Sequence, residues 1–158
     1  YVNQEGAFSA LLFDGNYKLI RVSNNGPWMN QTDSIDVRVS GNTVVDVPVN
    51  PYSIISNVTY QRSGTTINSA ITVQKINATS QIEAVRLYVS RTMLVDQNNA
   101  EATTSIVGST VASGQPVTAA VTIPASLTNA DAVYVRTGVK TVGVTELAYS
   151  VPQKLSLK

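Results

Sequence analysis

The segment Val117-Thr118-Ala119-Ala120-Val121-Thr122-Ile123 decides the fold class, because apolar side chains alternate along it with Thr and Ala. Successive side chains of a β-strand point to opposite faces of a sheet, so this period of two predicts a strand with one buried face. Of the 158 residues, 50 are the β-branched residues Val, Ile and Thr, which suit a pleated surface better than a helix. The sequence therefore predicts an all-β protein.

One segment near the middle of the chain, 81–91, also fits a helix. Ser80 and Glu83 have the spacing of a helix-capping box. Residues 85–89, however, alternate in the period of a strand, and turn-forming residues precede them. We therefore predict a strand here.

The first fifty residues carry patterns for four strands. The apolar run 7–13 is followed by Asp14-Gly15-Asn16 and then by the strand-like run 17–22. Asp-Gly and Gly-Asn pairs tolerate the backbone angles of a tight turn, so these two runs are predicted to form a β-hairpin. In runs 35–39 and 45–49, apolar residues also alternate with polar ones, which gives the third and fourth predicted strands. The proline in the last run predicts that this strand lies at a sheet edge or is ending.

A boundary between two domains is predicted at Asn50-Pro51-Tyr52, because proline cannot pair in a sheet and holds its predecessor extended. Beyond it, about seven strands are expected up to Lys158, with residues 96–105 read as a loop and a last strand that ends before Pro152. This number and length of strands match an immunoglobulin-like or fibronectin-type sandwich.

Composition excludes several classes of function. The chain has neither His nor Cys, which excludes zinc fingers, thiol catalysis, disulfide scaffolds and His-based triads. A net charge of +1 argues against a nucleic-acid partner, and no apolar run approaches the roughly 18 residues of a membrane span. The ten acidic residues are read as solvated charges, and Asp14-Gly15-Asn16 as a turn rather than a calcium loop. We expect no enzyme, metal or cofactor.

Cysteine usage also bears on localisation. Small secreted β-domains of animals usually carry disulfides, so a β-rich chain without Cys is more typical of the bacterial periplasm or cell surface. The sequence opens on strand-like residues rather than on a charged n-region with an apolar h-region, so we expect a mature form or a fragment of a longer chain.

Aromatic side chains are the remaining candidates for a binding site. Trp28 lies in a polar loop with Asn25 and Asn30, a combination that could stack a sugar ring and bond its hydroxyls. Alternatively, Trp28 folds back and caps the open end of the first sheet, because large aromatic rings gain most from burial. Tyr88 and Tyr134 lie on strand faces opposite valines and are the other predicted exposed rings, either ligand contacts or ordinary surface tyrosines.

Several motifs resemble an uncharacterised family of two-domain lipoproteins of gut Bacteroidetes. They are Gly6-Ala7-Phe8, Leu12-Phe13-Asp14-Gly15-Asn16-Tyr17-Lys18, Gly26-Pro27-Trp28, Val47-Pro48-Val49-Asn50-Pro51-Tyr52, Ala132-Val133-Tyr134-Val135-Arg136-Thr137-Gly138 and Tyr149-Ser150. The resemblance implies a transthyretin-like or carboxypeptidase-regulatory-like β-domain in 1–50 and an immunoglobulin-like (fibronectin-III-like) sandwich in 51–158. It also implies an outer-membrane, cell-surface lipoprotein that works beside SusC- and SusD-like glycan-import proteins.

Two features depart from the family pattern. The lipidated Cys and the opening strands of the first domain are absent, so residues 1–50 are expected to be the C-terminal part of that domain. The membrane anchor would then belong to a full-length precursor. Asp33-Ser34-Ile35 fits the triplet that such bacteria O-glycosylate, which makes Ser34 a candidate modification site.

Together these observations predict a non-catalytic surface protein that binds a polysaccharide as an accessory component of an import system. The alternative is a structural spacer or protein-protein interaction module at the outer membrane without a ligand of its own.

Overall fold

The computed structural model describes residues 2–3 and 6–158 and is built of β-strands with two short 3-10 helices, Gly108–Thr110 and Ala125–Leu127. The strands are β1 (Gly15–Ile20), β2 (Ser34–Val39), β3 (Ser53–Ser63), β4 (Thr66–Lys75), β5 (Ile82–Ser90), β6 (Ala102–Val107), β7 (Pro116–Thr122), β8 (Ala132–Thr141), β9 (Ala148–Tyr149) and β10 (Gln153–Ser156). The all-β prediction is confirmed. Within the described ranges, no helix has the length and apolarity needed to span a bilayer.

Strands β3 to β10 form a two-layer sandwich. One sheet has the order β3-β4-β7, and the other has the order β10-β8-β5-β6 with β9 paired to β8; all pairs are antiparallel. Alternate side chains of both sheets meet between the layers, where Ile67, Leu87, Val133 and Val135 are completely buried. Burial of each such side chain stabilises the fold by about 1.5–3 kcal/mol. The predicted β-sandwich is confirmed.

Strand β5 is the centre of the larger sheet, so the helical alternative for residues 81–91 is wrong. Leu87 lies opposite Thr104 of β6 on one side and Thr137 of β8 on the other. Hydrogen bonds to a strand on each side satisfy the backbone N–H and C=O groups of β5. This pairing also fixes which of its side chains point to each face of the sheet.

Two strands of the sandwich were not predicted. Strand β6 begins inside the expected loop 96–105 and takes up its last four residues. Ala102, Thr104 and Ile106 are half-buried and face inward, and Thr favours strand structure. The chain also continues beyond Pro152 into β10, which pairs with β8 through Leu155 opposite Val133. Proline at 152 lies just outside this strand and does not interrupt its hydrogen bonds.

The first fifty residues differ most from expectation. Strands β1 and β2 pair with each other from Gly15 opposite Val39 to Ile20 opposite Ser34, but residues 7–13 and 45–49 form no strand. The hairpin at Asp14–Asn16 is therefore wrong; instead the Asp14 carboxylate accepts a hydrogen bond of 2.9 Å from the Gly41 N–H.

The physical reason is the lack of strand partners for these apolar runs among the described residues. Leu11 and Phe13 are 101% and 92% exposed, and of residues 2–3 and 6–50 only Gly26 is buried. An alternating run becomes a strand only when another strand accepts its backbone hydrogen bonds.

Strand β3, an edge of the smaller sheet, contains a β-bulge. The pairing with β4 shifts between Ser56 and Thr59, and Asn57 has a positive φ of 51°. Asn is one of the few residues other than Gly that tolerates this conformation, and its side-chain amide donates to the Thr72 hydroxyl at 3.3 Å.

Candidate binding site

Trp28 is half-buried and folds back onto its own loop. Its ring covers Gly26, which is buried, and a Cβ built on Gly26 would overlap the ring atoms. One face of the indole is thus occupied by the backbone of its own loop. This arrangement is nearer to a packing role for Trp28 than to an open platform for a sugar.

The two asparagines predicted beside Trp28 differ in availability. Asn25 is exposed, whereas the Asn30 side chain is tied to Asn24. The Asn24 N–H donates to Asn30 Oδ1 at 2.7 Å, and Asn30 Nδ2 donates to Asn24 Oδ1 at 2.9 Å. These bonds stabilise Asn24 at a positive φ of 58°, so the Asn30 amide stabilises the loop.

Trp28 also lies at the joint between the two halves of the chain. It forms an isolated antiparallel bridge with Pro51, flanked by the bonds Met29 N–H to Asn50 O (2.9 Å) and Tyr52 N–H to Pro27 O (3.2 Å). These backbone hydrogen bonds tie the Trp28 loop to the segment that leads into β3, and so restrict rotation of residues 1–50 relative to the sandwich.

The expectation that Tyr88 is an exposed ring is wrong, because only 2% of this residue is exposed. It does face outward from the larger sheet, but Val95 and Leu147 cover it and are themselves buried. Burial raises the pKa of the Tyr88 hydroxyl, which has no hydrogen-bond partner among the described residues. This ring packs against neighbouring side chains and cannot contact a ligand.

Tyr149 completes the cluster over the larger sheet. Its ring centroid lies 6.0 Å from that of Tyr88, and the Arg136 guanidinium carbon lies 4.3 Å from its centroid, in cation–π geometry. Gly138 makes room for the ring, since a Cβ there would approach it to 2.8 Å. Burial raises the Tyr149 pKa to about 12, so this hydroxyl stays protonated near neutral pH.

Tyr134, the last predicted aromatic, is half-buried and packs against the same cluster. The structure therefore places the candidates in two separate regions, with Trp28, Asn25 and Asn30 in the first half and the tyrosines on the larger sheet. Ser34 is exposed at the start of β2, as a modification site requires.

An open cavity of about 430 Å³ lies elsewhere, on the smaller sheet, and its residues were not predicted from the sequence. Strands β3, β4 and β7 supply most of the lining, mainly through side chains on the outer face of the sheet. Strand β6, which runs beside β7, adds Thr104 and Ile106 from its inward face. The lining consists of Thr59, Gln61, Asn68, Ser69, Ala70, Thr104, Ile106, Thr118, Ala119 and Ala120. Its volume is in the range of roughly 300–1,000 Å³ found for small-molecule sites.

The described residues that line this cavity are uncharged and combine polar side chains with alanine and isoleucine. Amides come from Gln61 and Asn68, and hydroxyls come from Thr59 and Thr118. Apart from a long contact of 3.5 Å from Thr59 Oγ1 to the Ala70 carbonyl, these four side chains make no hydrogen bond within the described residues. They remain free to exchange hydrogen bonds with a ligand.

In the part of the chain that the structure describes, no group of three or more acidic side chains is placed to hold a metal ion. Asp33 has a lowered pKa because it accepts a hydrogen bond of 2.6 Å from Arg21, which makes it a poor general acid.

Two family models match the chain. The model described as "Protein of unknown function (DUF3823) N-terminal domain" covers residues 1–50, and "Domain of unknown function (DUF3823_C)" covers residues 53–154. No curated protein sequence matches.

Solved structures of similar proteins include two described as DUF3823 family proteins. That from Bacteroides ovatus ATCC 8483 is 38% identical with a TM-score of 0.91, covering 100% of this chain and 84% of the other. That from Parabacteroides merdae ATCC 43184 is 34% identical with a TM-score of 0.87, covering 99% and 78%.

A more distant structure, from Bacteroides uniformis ATCC 8492, is described as "a putative carbohydrate binding protein". It is 17% identical with a TM-score of 0.73, and the match covers 99% of this chain and 81% of the other. At this identity the likeness shows a shared fold.

Proposed function

Since the chain belongs to the DUF3823 family, whose function is unknown, we propose that it is a non-catalytic glycan-binding protein of the bacterial cell surface. In this proposal the full-length precursor carries a lipid anchor in the outer membrane. The protein captures polysaccharide as an accessory component beside SusC- and SusD-like import proteins.

The observation that carries the proposal is the open cavity on the smaller sheet. Its free amides and hydroxyls match the donors and acceptors that sugar hydroxyls need, and no charged group competes for them. The Bacteroides uniformis structure adds a reason to test carbohydrates first, because it shares the fold and is described as "a putative carbohydrate binding protein".

A non-catalytic role is supported by the chemistry of the side chains. Without His or Cys in the sequence, acid–base catalysis would fall to carboxylates, and glycoside cleavage uses two of them flanking the bond. No carboxylate of the described residues lines the cavity.

The alternative, a spacer or interaction module, is favoured by a different observation. Trp28, Pro51 and the backbone bonds around them hold the two halves together, as expected of an element that sets distance or orientation. In this case the cavity would have no physiological ligand.

Binding of purified residues 1–158 to an array of neutral and acidic polysaccharides, followed by titration calorimetry on any glycan that binds, tests the proposal. We expect a glycan to bind, and Trp28→Ala to leave its affinity unchanged because Trp28 lies outside the cavity. A folded sample that binds nothing on the array would instead support the spacer.

A further inference from the structure

We infer that the cavity on the smaller sheet takes a neutral oligosaccharide, held by hydrogen bonds from amides and hydroxyls rather than by aromatic stacking. This inference rests on the proposed function and assigns it a site and a class of ligand.

The register of the three strands arranges the outward side chains as a grid. One row is Gln61, Asn68 and Ala120, and the next row is Thr59, Ala70 and Thr118. Strands in a sheet lie about 4.8 Å apart, and side chains on one face repeat every two residues, roughly 6.6 Å. Polar groups therefore recur across the surface, with the alanine methyls leaving space between them.

The side chains in and around the grid are uncharged, which favours a ligand without charge. Among residues 2–3 and 6–158, no charged side chain lines the cavity. The neighbouring row on the same face, Ser63, Thr66 and Thr122, is uncharged as well. An acidic sugar would lose water without gaining the Arg or Lys partner that compensates a carboxylate or sulfate. A neutral sugar avoids this penalty.

The mode of binding follows from the described part of the chain, which places no aromatic side chain in the lining of the cavity. Tyr60, between Thr59 and Gln61 on β3, points into the core and bonds Thr137 and Ser150 there. Affinity must then come from hydrogen bonds, to which each amide contributes both donors and an acceptor.

The test uses the neutral glycan that binds most tightly on the array and measures its dissociation constant by calorimetry. Gln61→Ala and Asn68→Ala should each weaken binding roughly fivefold, and the double variant roughly 25-fold, since a neutral hydrogen bond contributes about this factor. Ala120→Glu should abolish binding by placing bulk and charge in the cavity.

A matched control is Gln74→Ala, which removes the same amide from β4 on the same face but outside the cavity. This variant should bind like the wild type. Because Gln61, Asn68 and Ala120 are exposed, their variants should fold, as circular dichroism would verify.

The outcomes separate the inference from the proposed function. If a glycan binds but the double variant retains full affinity, the site lies elsewhere and only this inference fails. Binding of polygalacturonate or chondroitin sulfate in preference to every neutral glycan would overturn the ligand class. If no glycan binds, both fail.

Discussion

Replacing Tyr60 by Phe should destabilise the sandwich by removing one hydroxyl from a buried polar network. The Tyr60 hydroxyl bonds Thr137 Oγ1 at 3.0 Å and Ser150 Oγ at 2.9 Å, and the tyrosine is only 9% exposed. Tyr60 belongs to the smaller sheet and Thr137 to the larger, while Ser150 follows β9. The network therefore ties both layers and the last part of the chain together.

The size of the effect follows from the bonds that the variant loses. Thr137 and Ser150 keep one partner each, because Ser69 Oγ lies 3.3 Å from Thr137 Oγ1 and the Thr137 N–H donates to Ser150 Oγ at 3.0 Å. Two neutral hydrogen bonds are lost without replacement, which corresponds to about 1–3 kcal/mol of the free energy of unfolding. Urea denaturation followed by near-ultraviolet circular dichroism measures this change.

Tyr134→Phe is the matched control, since it removes the same atom from a half-buried tyrosine at the margin of another cluster. We expect it to change the free energy of unfolding by less than about 0.5 kcal/mol. If Tyr60→Phe changes stability no more than this control, the buried network adds nothing net and the reasoning is refuted.

Three further predictions concern packing and ionisation. Gly26→Ala should displace the Trp28 ring, seen as a red shift of its fluorescence; an unchanged spectrum would contradict the packing described. Leu87→Ala should lower the free energy of unfolding by about 2–5 kcal/mol in urea titrations, because it leaves a cavity in the centre of the core; a loss below 1 kcal/mol would be inconsistent with complete burial. The folded state raises the Tyr149 pKa from 10.0 to about 12, so the stabilisation linked to its proton is complete below pH 10 and is lost as the pH rises toward 12. Tyr149→Phe should weaken this alkaline loss in denaturation curves between pH 8 and 11, and an identical pH profile for the variant would disprove the linkage.

The strands of the sandwich were largely predictable, because apolar residues recur at every second position where the inner face of a sheet is buried. Val117 to Ile123 follow a period of two because β7 has the core on one side. The run 85–89 alternates in sequence in the same way, although Tyr88 is also buried on the other face of β5. Strand β6 escaped prediction because Thr and Ser fill half of its positions, and its half-buried residues Ala102 and Thr104 are small or polar.

The first half shows the limit of the same reasoning. Residues 7–13 have the composition of a strand, yet composition cannot supply a neighbour that accepts the backbone hydrogen bonds. The pairing of β1 with β2 was not foreseen because the Asp14–Asn16 motif pointed to a local hairpin, whereas the actual partner lies about twenty residues away.

The candidate site depended on tertiary structure that no local pattern reveals. Tyr88 alternates like a surface residue, and only the return of Val95 and Leu147 over the sheet buries it. Thr118 and Ala120 were correctly assigned to the face opposite the valines, but a cavity exists there because the register places Asn68 and Gln61 beside them. Register is set by the whole sheet and not by one strand.

The β-bulge at Asn57 affects whether a second copy of the chain can pair with the edge of β3. A straight, unpaired strand edge invites a second molecule to add its own strand and begin a polymer. The extra residue at this bulge breaks the even spacing of amide and carbonyl groups along β3, so an incoming strand cannot extend along that edge in continuous register. The bulge thus makes this edge of the smaller sheet a poor template for a strand of a second copy.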